Sequence, residues 1–162
     1  DRDMVIKLYE ASCRGVKIDL VVRGICNLRP GISGVSENIT VRSIVGRFLE
    51  HSRTFYFLNG GDEKIYLSSA DWMSRNLNER VEMMFPVEDA GHIARIKGLL
   101  ELLLKDNKKA YVMKKDASYR RVERGAAVLS CQESLLEKAR FASRVPPVSI
   151  EQKLKPAYRR SE

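Results

Sequence analysis

The stretches GRFLEHSR (residues 46–53) and SSADWMSRNLNERVE (residues 68–82) decide how this chain of 162 residues is interpreted. They place one histidine, His51, and several arginines beside two neighbouring apolar runs. The arginines are Arg47, Arg53, Arg75 and Arg80. Arginine presents a planar fork of donors that matches phosphate oxygens, and histidine acts as a nucleophile, acid or base near neutral pH. The pattern therefore predicts a site that binds or transfers a phosphoryl group.

The apolar runs around these stretches predict an α/β fold. TFYFL (54–58) and KIYLS (64–68) are strand patterns separated by the turn signal NGGD (59–62), so we expect a hairpin. Periodicity predicts a helix over residues 1–14, and the β-branched run VKIDLVV (16–22) predicts a buried strand. The other predicted elements are a strand or short helix over 39–45, a strand over 81–87 ended by Pro86, a long helix capped by Asp89, a basic strand–turn–strand over 108–124, and a helix over 131–142 with Leu135 and Leu136 inward. This order is typical of an α/β sandwich in which helices flank a mixed sheet.

The chain is expected to form one domain. Residues 1–143 carry all of the predicted elements, and the prolines and charges of residues 144–162 predict a basic, flexible tail. The chain does not begin with Met and enters helical periodicity almost at once, so we expect it to be a piece of a longer protein. No apolar stretch approaches the roughly 20 residues of a membrane-spanning helix.

The composition indicates an anionic partner. Lys and Arg total 29 against 21 Asp and Glu, which gives a formal net charge of +8 and a pI near 9.5. A nucleotide, a polyanion, a nucleic acid or an acidic membrane surface would fit this charge, and a basic tail on an ordinary soluble domain would also explain it. The three cysteines are widely spaced and form no CxxC motif, which favours a reduced, cytoplasmic setting without a zinc site.

Each candidate site residue also has an ordinary interpretation. His51 is a surface histidine unless the arginines converge on it, in which case they disfavour its charged form until an anion lies among them. Arg23 ends the run VKIDLVV, at the strand end where ligands of open α/β sheets bind, although a solvated loop arginine has the same pattern. Ser69 can hydrogen-bond a phosphate, or it can simply form a turn.

Other phosphate-binding and metal-binding motifs are missing from the sequence. There is no phosphate-loop glycine motif, no dinucleotide fingerprint and no His/Cys metal spacing, so no metal site is predicted in this chain. His92 opens the long helix and is interpreted as a surface or capping residue. A set of basic residues could bind a polyanion along its length or form a solvated face. It comprises Lys108, Lys109, Lys114, Lys115, Arg120, Arg121 and Arg124.

Two long segments resemble a known family. VVRGICNLRPGISGVSENITVRSIVGRFLEHSR (21–53) and FYFLNGGDEKIYLSSADWMSRNLNERVEMMFPV (55–87) closely resemble the last domain of bacterial polyphosphate kinases. The resemblance runs from about Ile6 to Ala142, nearly all of the chain. More distantly, HSR (51–53) followed by SAD (69–71) resembles the phospholipase D superfamily pattern His-x-Lys followed by Gly-Ser-x-Asn. Polyphosphate kinases share that fold, with two such domains in tandem.

The resemblance implies an activity and a set of site residues. The family reversibly transfers the terminal phosphate of ATP to inorganic polyphosphate through a phosphohistidine, which belongs to the preceding domain that this chain lacks. His51 resembles the second histidine, which contacts the nucleotide phosphates as an auxiliary acid or base. Arg23 and Arg80 resemble the arginines that bind ATP and its phosphates, and we expect all three side chains at one anion pocket. Secondary phosphate contacts are expected from Arg53, Arg75 and Ser69.

The resemblance also implies cofactors and partners. ATP and ADP are substrates, and Mg²⁺ is expected for the full-length enzyme with its ligands outside this chain. The partners are polyphosphate, the preceding domains of the same polypeptide and, at full length, further copies of the protein, with no specific nucleic acid. The location is expected to be the cytoplasm, with peripheral association at the inner membrane. The fragment alone is expected to be inactive.

The chain departs from the phospholipase D pattern at several positions. Arg53 stands where Lys is usual, Asp71 stands where Asn is usual, and the strand-borne Asp of that pattern is missing. Diester hydrolysis is therefore disfavoured, and Asp71 needs a cationic partner, for which Arg75 is the candidate. Two alternatives stay open. One is a phospholipase D-like phosphodiesterase or nuclease half-site, and the other is a non-catalytic module that binds polyanions.

Overall fold

Seven strands and four α-helices follow one another within residues 1–143, the part of the chain that the computed structural model describes. The predicted tail, 144–162, lies outside the described residues. The elements are α1 (Arg2–Cys13), β1 (Ile18–Val21), β2 (Ile39–Ile44), β3 (Thr54–Phe57), a 3-10 turn (Asn59–Gly61), β4 (Lys64–Ser68), α2 (Ser74–Asn78), β5 (Met84–Pro86), α3 (Ala90–Lys105), β6 (Ala110–Met113), β7 (Tyr119–Arg121) and α4 (Cys131–Ala142). None of the helices in these described residues combines the length and the apolar character that crossing a membrane requires.

The strands form two sheets. The first has four strands in the order β1-β2-β6-β7, in which β1 and β2 are parallel and the other pairs are antiparallel. The second is antiparallel, in the order β3-β4-β5. The prediction of an α/β fold with a mixed sheet and flanking helices is confirmed. The separation into two sheets was not predicted, because periodicity identifies strands but not their partners.

The core lies on both faces of β2. Its alternating pattern buries Ile39 and Val41 with Leu28 and Met113, and residues of α1 such as Val5 pack against this group. A second group contains Ile44, Leu103, Ala110 and Cys131, and it joins β2 and β6 to α3 and α4. Both groups belong to the first sheet and to the helices packed on it.

Some local predictions are corrected by the structure. The run over 16–22 is not fully buried, because β1 is the edge strand of its sheet and Asp19 points to solvent. The strand predicted over 81–87 is shorter, and Val81 is fully exposed. The inward position of Leu135 is wrong, since its side chain is exposed, while Leu136 is half-buried. Helix α4 is buried through its first turn and leaves the core afterwards.

The burial of Cys131 gives a test of this packing. Its side chain is fully buried, and burial, followed by the hydrogen bond with Asp106, raises the pKa of the thiol to about 12. Because the thiolate is the reactive form, we expect a disulfide reagent to modify the exposed Cys13 in the native protein and to reach Cys131 only after denaturant is added. Mass spectrometry of the labelled peptides measures this, and equal labelling rates would contradict the packing of α4.

Candidate functional site

Three loops from the two sheets bring charged side chains together. Arg23 follows β1 in the first sheet, whereas Arg53 precedes β3 and Asp71 follows β4 in the second. An ion pair joins Arg23 to Asp71 across 48 residues of sequence, so the group connects the sheets. We call Arg23, His51, Arg53 and Asp71 the Asp71 cluster.

Asp71 is the centre of this cluster. Its carboxylate accepts hydrogen bonds from Arg23 Nη2 at 2.8 and 3.1 Å and from Arg53 Nε and Nη2 at 3.0 and 3.3 Å. The side chains of Arg23, Arg53 and Asp71 are 24%, 18% and 27% exposed, which leaves them accessible to a ligand but partly shielded from water.

The arginines keep Asp71 ionised. The hydrogen bond from Arg53 contributes most to lowering the pKa of Asp71 below its ordinary value of 3.8. The hydrogen bonds and the charge of Arg23 lower the pKa further, whereas burial raises it. The ion pairs therefore stabilise the fold at pH values above 3.8, and this contribution is lost as the pH falls through the lowered pKa. At neutral pH the cluster holds two guanidinium charges against one carboxylate.

His51 is attached to the cluster through Arg53. Arg53 Nη1 lies 3.0 Å from His51 Nδ1 and 3.1 Å from the His51 carbonyl oxygen. The same Nη1 lies 3.4 Å from His51 Nε2, so both ring nitrogens face this guanidinium group. The imidazole is exposed, so a ligand can reach its ring.

The loop before His51 is fixed from α4. Gln132, which is buried, accepts a hydrogen bond from the Phe48 backbone N–H at 3.0 Å and donates to the Phe48 carbonyl and to the Glu50 carboxylate, both at 2.7 Å. A Cβ at Gly46 would lie 2.2 Å from Gln132 Oε1, so a larger residue there would displace the Gln132 amide from these hydrogen bonds. Sequence reasoning missed Gln132, because a glutamine in a helix carries no local signal of such a role.

Ser69 and Glu82 form a second polar group beside the Asp71 cluster. The Ser69 hydroxyl donates to Glu82 and accepts from the Met83 N–H at 2.9 Å, and Asn76 donates to Glu82 at 2.7 Å. The hydrogen bonds from Ser69 and Asn76 lower the pKa of Glu82, and the charges of Arg80 and Arg53 act in the same direction. The Ser69 hydroxyl therefore orients Glu82 in this structure.

The remaining predicted arginines lie at the surface. Arg80 is exposed, and its charge acts on Glu82. Arg75 lies on α2 and is also exposed, while the Arg47 guanidinium covers the Phe48 ring at 5.3 Å from its centroid. The expectation that Arg75 is the partner of Asp71 is wrong, since Arg23 and Arg53 hold that carboxylate.

The two sheets and their flanking helices form an α/β domain of the phospholipase D type. The chain belongs to the polyphosphate kinase C-terminal domain 2 family, which its residues 1–132 match.

Known relatives cover most of this chain. It is 63% identical over 122 residues to a polyphosphate kinase of Pseudomonas aeruginosa, a match that covers 75% of this chain and 18% of the relative. It is 56% identical over 140 residues to a polyphosphate kinase of Pseudomonas syringae, covering 85% and 19%. The crystal structure of polyphosphate kinase from Porphyromonas gingivalis superposes with a TM-score of 0.83 at 38% identity, covering 89% of this chain and 22% of that one. The chain thus spans about a fifth of the length of these relatives.

Proposed function

We propose that this domain forms one wall of the active site of a polyphosphate kinase. In this proposal the full-length enzyme reversibly transfers the terminal phosphate of ATP to polyphosphate through a phosphohistidine in a preceding domain. The observation that carries the proposal is the convergence of His51, Arg23 and Arg53 around Asp71 at an accessible edge that joins the two sheets. The names of the relatives support the same reaction.

Each residue has a role that its chemistry permits. Arg23 and Arg80 neutralise charge on the nucleotide phosphates, and charge stabilisation is the main requirement of phosphoryl transfer. His51 directs a ring N–H toward an oxygen of the transferred phosphoryl group or toward the leaving oxygen. Secondary phosphate contacts are assigned to Arg53, Arg75 and Ser69, and a contact by Ser69 requires its hydroxyl to turn away from Glu82.

The carboxylates of Asp71 and Glu82 do not fit a magnesium ion. Mg²⁺ needs free oxygen ligands in an octahedral arrangement. Both oxygens of Asp71 accept hydrogen bonds from guanidinium groups, and both oxygens of Glu82 accept hydrogen bonds from Ser69 and Asn76. Within residues 1–143 there is also no group of three or more His, Cys, Asp or Glu residues that could hold a metal. We therefore assign the magnesium ligands to the rest of the enzyme.

The partners follow from the same proposal. ATP, ADP and polyphosphate bind at the shared site, and the preceding domains supply its second wall. We further propose that the domain occupies residues 1–143, and that the full-length enzyme is a homo-oligomer in the cytoplasm with peripheral association at the inner membrane.

A transfer assay tests the proposal. The full-length enzyme, incubated with ATP and short polyphosphate, is expected to produce ADP and longer chains, while the chain of 162 residues alone is expected to show little or no transfer because it has one wall of the site. Polyphosphate is separated by gel electrophoresis and ADP is measured by chromatography. Hydrolysis of a bis-aryl phosphate by the isolated chain would favour a phosphodiesterase instead. Salt-sensitive polyphosphate binding that survives loss of His51, without any transfer, would favour a binding module.

A further inference from the structure

Asp71 occupies an unusual position for a carboxylate at a site that binds phosphates. It lies between two arginines and accepts four hydrogen bonds from them. A carboxylate here neutralises one positive charge and repels an incoming anion, so it weakens phosphate binding. Its presence therefore requires a benefit other than affinity, and the contacts of its partners indicate which one.

Arg53 contacts both Asp71 and His51, and so it links the position of one side chain to that of the other. Its Nε and Nη2 bind Asp71, while its Nη1 binds both the imidazole Nδ1 and the backbone carbonyl of His51. All three guanidinium nitrogens are thus engaged, and the side chain is only 18% exposed. The orientation of the imidazole is then linked to Asp71 through a single planar group.

Arg23 is placed by the same carboxylate. Its Nη2 contacts both Asp71 oxygens, whereas its Nη1 makes only a long contact of 3.4 Å with the Glu50 carbonyl. Without Asp71, the like charges of Arg23 and Arg53 would repel each other and their side chains would separate. One carboxylate therefore holds both guanidinium groups.

We propose that Asp71 is a positioning residue, which sets the place of Arg23 and, through Arg53, the orientation of His51. This inference rests on the proposed function and deepens it. It assigns to Asp71 no contact with the substrate. Its signature is a loss of turnover without a loss of ATP binding, because removing the carboxylate raises the positive charge of the site while misplacing the groups that act in the transition state.

The first test is Asp71→Asn in the full-length enzyme. Asparagine has nearly the same shape, but its amide group would face one guanidinium with N–H groups, so one arginine loses its partner. We expect kcat to fall by about 10²-fold, the effect of a small misplacement at a reacting centre, and KM for ATP to stay constant or fall. The matched control is Asp62→Asn, which removes an exposed carboxylate beside Lys64 in the β3–β4 turn and is expected to leave both constants unchanged. A raised KM with normal kcat, or wild-type kinetics, would overturn the inference.

A double-mutant cycle with Arg53→Lys separates positioning from general damage. If Asp71 acts through Arg53, the double variant should lose less activity than the product of the two single effects, because both changes break the same link. Single effects that multiply fully would mean that the two residues act independently, and the inference would be abandoned. If the proposed function itself is wrong, the wild-type enzyme will not transfer phosphate from ATP at all. That result distinguishes failure of the proposed function from failure of this inference.

Discussion

Replacing His51 with alanine in the full-length enzyme is expected to lower kcat for polyphosphate synthesis by roughly 10²–10⁴-fold, the usual contribution of a group that donates or accepts a proton in the transition state. The imidazole is exposed, and its contacts in the structure are with Arg53. Because Arg53 keeps its contacts with Asp71 and with the backbone carbonyl of residue 51, the fold should not change. The loss is therefore expected in chemistry rather than in the amount of folded enzyme.

His92 offers a matched control for this substitution. It is the second of the two histidines, lies exposed at the start of α3, and pairs with the capping residue Asp89. His92→Ala should retain transfer within a factor of about two, since exposed side chains away from special features contribute little. Initial rates at saturating ATP, together with far-UV circular dichroism, measure both variants. Equal kcat for the wild type and His51→Ala would remove His51 from the mechanism.

The sequence predicted most elements of this fold but not the short helix α2 (Ser74–Asn78). Helices α1, α3 and α4 and the β3–β4 hairpin begin and end within a few residues of their predicted bounds, because each has a strong local signal such as the Asp89 cap or the turn at Asn59–Gly61. Positive φ angles at Asn59, Gly60 and Gly61 agree with the turn residues there. The pairing of strands into two sheets depends on long-range packing, so it cannot be predicted from local periodicity.

The site was predicted only in part. Local proximity suggested that Arg75 pairs with Asp71, four residues away, but Arg23 lies 48 residues away and reaches the carboxylate because β1 ends beside the β4 loop. Neighbourhood in sequence is a poor guide when the partners come from different sheets. The roles assigned to Arg23, His51 and Arg80 stay predictions, and the structure adds Asp71 and Gln132 as residues that fix the loops around them.

Asp106 is a structural residue that the sequence did not reveal, and replacing it is expected to cause the largest loss of stability. It is fully buried between the end of α3, the start of β6 and the start of α4. One carboxylate oxygen accepts from the backbone N–H groups of Lys108 and Lys109 at 3.0 and 2.7 Å, and the other accepts from Cys131 at 2.8 Å. Three elements of the second core group therefore depend on one side chain.

Asp106→Ala should lower the free energy of unfolding by about 3 kcal/mol or more, because the Lys109 and Cys131 N–H groups lose their acceptor and each unpaired buried donor costs about 1–3 kcal/mol. Asp106→Asn keeps one oxygen acceptor and should lose less. Asp116→Ala is the control, since this exposed aspartate accepts only from Ser118 in the β6–β7 turn.

Urea unfolding of the chain, followed by circular dichroism, gives the midpoints of all three variants, and hydrogen exchange reports the two amides directly. In Asp106→Ala we expect faster exchange at Lys109 and Cys131, with the midpoint shifted at an unchanged m-value. A midpoint equal to that of Asp116→Ala would mean that water or a rearranged backbone replaces the carboxylate. The junction between α3, β6 and α4 would then be held by its apolar contacts alone, with Leu103, Ala110 and Cys131 as the residues to replace next.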